Sequence, residues 1–305
     1  MAIVLLLALY VLLNEGEGVV VKNYGKKYGS GGMFFNAVIC LFSMVFFFVT
    51  DKGGLCFPKE LWGYGLFSSL MFATGFYTMY MALKMGSFVA SRLIASFSGT
   101  ISIVCGILIL NEDSNISTYI AIVLVVVSIV LRQTGGNKNK DNSNEQKKDF
   151  SVIWLIMALL TAVSNGLITV VSKMQQTKFD NAYNNEFMIM SFGGAFVILA
   201  VIGIIYEKDN IKNVAKNDTV YGFFGGFFNG SKNFVNLLLQ ATMSISVLTP
   251  IKSTISFVVS FLLSVFLYKE KFTARQIVSI IIGVTAVVLF KVDVVQMIID
   301  LFAKV

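Results

Sequence analysis

The chain contains no histidine. The commonest general base, proton carrier and metal ligand is therefore missing, and so is any zinc motif of the HExxH type. Cys40, Cys56 and Cys105 are scattered, in neither a disulfide framework nor a metal-ligand spacing. Charged residues make up 13% of the chain, against about 25% in an average soluble domain. An intramembrane hydrolase or transferase needs a nucleophile–base pair or a metal cluster. An enzyme is thus disfavoured, and neither metal nor cofactor is expected. The net charge of +7 resides in lysines of short polar connections. It reads as topology information and not as a nucleic-acid footprint.

What the chain does have is apolar sequence. Hydrophobic residues are 56% of the 305, with mean hydropathy +0.78, which makes an all-α integral membrane protein. Apolar segments recur at 3–21, 33–49, 61–83, 88–110, 116–131, 152–172, 187–206, 220–240, 247–268 and 276–291. The N-terminal run lacks a basic flank and a small-residue cleavage site, so a retained first span is expected and not a signal peptide. Between the fifth and sixth segments the stretch 132–150, rich in Asn, Lys and Gly, is a solvated linker. It separates a first five-helix repeat (1–131) from a second (151–292), and 293–305 forms a short amphipathic or frayed tail.

The halves resemble each other. Asn14, Val20 and Lys22 line up with Asn165, Val171 and Lys173, and GILILNED with SVFLYKEK, pairing Glu112 with Glu270. Five spans each place the halves in opposite orientations. The expected fold is therefore ten transmembrane helices as two inverted five-helix repeats, a plan of secondary transporters with the site near mid-membrane.

Residues 82–113 and 268–290 carry a family resemblance. They are similar to the EamA-like repeats of the drug/metabolite transporter (DMT) superfamily. There each repeat ends in a Gly-Glu-like turn before a short, glycine-bearing fifth helix. Glu270, Gln276 and Gly283 match that pattern, and Glu112 matches it in the first half. The family's fourth-helix proline is absent, with Ser98-Gly99 and Ser256-Phe257 in its place. The resemblance implies a transporter and leaves the substrate open. The small multidrug exporters, distant relatives, place a coupling glutamate eight residues before the first-helix lysine; here Asn14 and Asn165 stand there.

The first segment is the most unusual, because Glu15 and Glu17 interrupt it. A charge at mid-membrane costs about 2.5–3.5 kcal/mol, whereas each Leu, Ile or Val returns only about 0.3–0.6 kcal/mol. Two glutamates nearly cancel the run, so this helix should line a polar interior. Asn14, Glu17, Gly18 and Val21 share one face. Glu17 is expected to face substrate and exchange protons, with Glu15 turned to a neighbouring helix. Gly16 and Gly18 offer a loosening of the helix that would let both turn inward. The eighth segment carries Asn229, Lys232, Asn233, Asn236 and Gln240 in one stripe, which should look onto water or substrate. Helix–helix glue is the plainer alternative. Thr74, Tyr77, Thr78 and Tyr80 offer a milder counterpart in the third segment, and Arg92 and Lys252 enter the fourth and ninth.

The expected function is secondary transport of a small polar metabolite, an amino acid or similar zwitterion, by alternating access. Organic-cation or drug export, sugar permeation, and a receptor or structural role are the alternatives. The expected setting is the cell membrane, such as a bacterial inner membrane, as a monomer or homodimer with the bilayer and a small-molecule substrate as partners. Of 24 Lys and Arg, fifteen follow odd-numbered segments and six lie on the other side. That bias puts the linker in the cytoplasm and both termini outside, opposite to the family habit. A cysteine at Ser143 should then resist a membrane-impermeant thiol reagent in intact cells; ready labelling would reverse the topology.

Overall fold

The computed structural model describes residues 2–28, 32–85, 97–112, 116–134, 152–208 and 219–252, with isolated positions from 255 to 289. Every regular element among them is a helix. These are α1 (Ala2–Tyr28), α2 (Met33–Thr50), α3 (Lys59–Met85), α4 (Ser98–Leu110), α5 (Ile116–Thr134), α6 (Val152–Lys178), α7 (Asn184–Tyr206) and α8 (Thr219–Thr242). A ninth helix, α9, opens at 245–252, and helical positions recur between 274 and 289. The first three residues of the expected linker, 132–134, continue α5; its remainder, the tail, Arg92, Glu270, Gln276 and Gly283 lie outside the described residues.

Four helices among the described residues are long and apolar enough to cross a membrane: Ile3–Val21, Met33–Thr50, Val152–Lys178 and Asn184–Tyr206. Four of the ten expected spans are thus clear among the described residues, and much of the fourth, ninth and tenth lies outside them. For the third and eighth the reason is compositional. The α3 and α8 helices have the length, 27 and 24 residues, but polar and glycine residues dilute their apolar character. The described part of α4 is 13 residues long.

The largest core cluster joins α2, α3, α6, α7 and α8 through Phe47, Phe72, Ile168, Phe187, Phe192, Leu199 and Leu237. The Phe72 and Phe192 rings meet at 4.7 Å between centroids. Facing residues give the directions. Gly203 abuts Phe34 and Phe192 meets Phe47, so α2 and α7 are antiparallel. Glycines let backbones approach closely, as in membrane helix pairs generally. Gly222, Gly226 and Gly230, spaced by four, seat against Val38, Phe42 and Phe46, and α8 therefore runs parallel to α2. On α3, Gly65 packs on Met190 and Ser69 on Gly194, with the Ser69 hydroxyl donating to the Met190 carbonyl at 2.8 Å, so α3 runs parallel to α7.

The α1 helix is continuous through Asn14–Gly18, without the loosening that its glycines would allow. Close packing accounts for Gly16, where a Cβ would lie 2.8 Å from the Phe228 ring. The α1 and α8 helices are antiparallel, since Val20 lies near Gly225 and Tyr24 near Tyr221.

Candidate functional site

The stripe of α8 engages three different helices. Nearest its start, Asn229 donates to Glu17 Oε1 at 2.8 Å, and the Lys232 ammonium forms a salt bridge with Glu17 Oε2. Asn233 donates to the Asn229 side-chain oxygen at 2.9 Å, which orients the Asn229 amide. One turn on, Lys252 of α9 donates to Asn236 Oδ1 and lies over the Tyr10 ring, 4.9 Å from its centroid. Nearest the end of α8, Gln240 accepts from the Ser172 hydroxyl of α6 at 2.9 Å and is fully buried.

Each helix contributes through its periodicity. On α1, Tyr10, Asn14 and Glu17 stand at i, i+4 and i+7 and so share the face toward α8. That face runs about 10 Å, two turns, from the Tyr10–Lys252 contact to the Glu17–Lys232 pair. The pair is only partly withdrawn from solvent, Glu17 being 15% and Lys232 18% exposed. A continuous polar seam thus lies between α1, α8 and α9, carrying one carboxylate and two ammonium groups.

Other expected site residues lie elsewhere. Asn165 is exposed on α6, with its Oδ1 beside Gly75 of α3. Tyr77 packs, partly buried, against the main core cluster, and Thr78 hydrogen-bonds Thr161 at 2.8 Å. The α3 counterpart stripe therefore holds α3 to α6. Gln240 belongs to the α6–α8 contact and not to the Glu17 seam. Half-buried Glu15 projects away from Glu17, as a regular helix requires.

Two features escaped the sequence reading. Tyr10 sits in an apolar run and looks like core, although its ring faces Lys252. The other is how the break between α8 and α9 is capped. The α4 helix ends at Asn111, in a left-handed conformation with φ 49°, and the Asn111 and Glu112 amides both donate back to the Gly106 carbonyl. That turn aims the Glu112 carboxylate at the first turn of α9, where it accepts from Ile245 N at 2.6 Å and Ser246 N at 2.9 Å. Opposite it, Lys173 donates to the Gln240 carbonyl and, at 3.0 Å, to the Met243 carbonyl. An anion thus faces the positive end of α9 and a cation the negative end of α8, the pairing helix dipoles favour. Glu112→Ala should cost at least about 1.5–3 kcal/mol, the typical contribution of one hydrogen bond to a charged group, of which it removes two. Thermal unfolding in detergent measures this, and an unchanged midpoint would show the cap to be dispensable.

The family model that matches the chain is the EamA-like transporter family, over residues 1–132 and 152–292. The chain belongs to the EamA-like transporter family. It is accordingly a multi-pass membrane transporter of the drug/metabolite type, and the family is one of transporters and not generally of enzymes. A solved protein crystal structure aligns over 94% of this chain and 98% of its own, with 12% identity and a TM-score of 0.58. At that identity the likeness is one of fold. Comparison with curated proteins yields no match.

Proposed function

We propose that this EamA-family transporter moves a small zwitterionic metabolite, an amino acid or a close analogue, across a cell membrane such as a bacterial inner membrane. It does so by alternating access, as two inverted five-helix repeats with a site between them, working as a monomer or homodimer. The observation that carries this reading is the Glu17–Lys232 pair, a carboxylate and an ammonium side by side within a polar seam. A zwitterion can satisfy both signs in turn, its ammonium at Glu17 and its carboxylate at a lysine.

The repeat arrangement is supported by how the helices pair. Contacts of α1 with α8 are mirrored by contacts of α6 with α3, and α2 with α8 by α7 with α3. Each pair becomes the other when the halves are exchanged. The family match falls on either side of the linker, in the same sense.

Proton coupling through Glu17 follows from the competition at its carboxylate. A proton, Lys232 and a substrate ammonium all seek the same oxygens, so binding one releases another. Counterflow of labelled amino acids, sugars and organic cations into liposomes holding the purified protein tests the reading. Saturable exchange of an amino acid is expected. Flux confined to sugars or organic cations would overturn the zwitterion assignment, and the absence of any flux would overturn transport by this site.

A further inference from the structure

The two lysines of the seam are not equivalent. Lys232 is matched by Glu17. Lys252 is 9% exposed, and among the described residues its contacts are the amide oxygen of Asn236 and the face of Tyr10. Both are neutral. A buried ammonium without a counter-charge is costly, and a ring face returns only about 0.5–2 kcal/mol. A polar group on the same face of α9 is also unmatched among the described residues: the buried Thr249 hydroxyl, one turn before Lys252, has no hydrogen-bond partner. Buried polar groups are otherwise almost always paired.

We infer that Lys252 is the anchor for a carboxylate of the transported metabolite, with the Thr249 hydroxyl as a second donor. The inference rests on the transporter reading above and gives that site its anionic pole. A single ammonium with neutral donors matches a group of one negative charge. A phosphate monoester, with nearly two charges at neutral pH, would call for a further cation. Lys232 is the poorer anchor, since an anion there must first displace Glu17. The Glu112 cap fixes the start of α9, so Lys252, two turns later, is held at a set depth.

Thermal unfolding of the purified full chain tests this. The probes are the L-amino acids, simple mono- and dicarboxylates, the corresponding methyl esters, and phosphate monoesters. At least one free acid should raise the midpoint while its ester does not. Lys252→Met should lose that response, and Lys252→Arg should keep part of it. If Lys252→Met fails to fold, Thr249→Val replaces it, with an expected weakening of about tenfold in the concentration for half-maximal shift, a typical cost of one hydrogen bond. Four results would overturn the anchor: no acid shifts the midpoint, esters act like acids, only phosphate monoesters act, or the variants respond like the wild type. Liposome flux keeps the two claims apart. Sugar or cation flux indifferent to Lys252→Met leaves transport standing and removes the anchor. An acid-specific shift lost in Lys252→Met, without any flux, keeps the anchor and removes transport.

Discussion

Lys232→Met is expected to reduce transport by at least about 100-fold, a loss of roughly 3 kcal/mol in coupling of a close charge pair. Lys232 is bound to Glu17 in the present conformation and must exchange with substrate or proton during the cycle. Methionine keeps the length and the apolar stem but removes the charge. Truncating one partner of a fully buried pair costs about 3–5 kcal/mol of stability. The partial exposure of this pair, and the Asn229 amide that stays on Glu17, should hold the loss below that. The double variant Glu17→Gln/Lys232→Met should recover the stability and not the transport. Leu238→Met, on the exposed face of α8, serves as the control. Liposome flux and thermal unfolding of the same preparations distinguish the outcomes. A large drop in stability with flux intact would make the pair structural.

Glu17→Gln should abolish uptake driven by a pH gradient while leaving counterflow exchange measurable. Glutamine accepts the Asn229 hydrogen bond but cannot titrate, and it no longer holds Lys232 by charge. The driven step needs a proton to enter and leave the carboxylate, so its rate should fall to background. Exchange needs only substrate binding and reorientation, and should fall about tenfold if one charge-assisted hydrogen bond is lost. Glu15→Gln, on a different face of α1, should leave the pH response in place. If Glu17→Gln retains the wild-type pH dependence, the proton path runs elsewhere.

Much of this architecture is legible in the sequence, and the limits have physical causes. The α1, α2, α6 and α7 helices announce themselves because long apolar runs admit no other structure in a bilayer. Glu17 and Lys232 stand out separately, each being costly where it lies. Their pairing does not, because spacing along a helix says which residues share a face and nothing about which helix lies opposite. The stripe on α8 shows this most clearly: one row of residues meets α1 at Asn229, α9 at Asn236 and α6 at Gln240. Tyr10 is hidden among leucines, and its role depends on a lysine far along the chain. Glu112 is visible as a turn residue. Its use as the cap of a helix in the other half depends on tertiary packing alone.

That cap also bears on how the chain is made. Glu112 leaves the ribosome 133 residues before the Ile245 amide it serves. Until α9 arrives, the carboxylate is without these two donors, and until Glu112 is in place, the first amides of α9 have no such acceptor. The first turn of α9 thus finds its acceptor on a helix synthesised well before it, which ties the two halves of the chain together at this point.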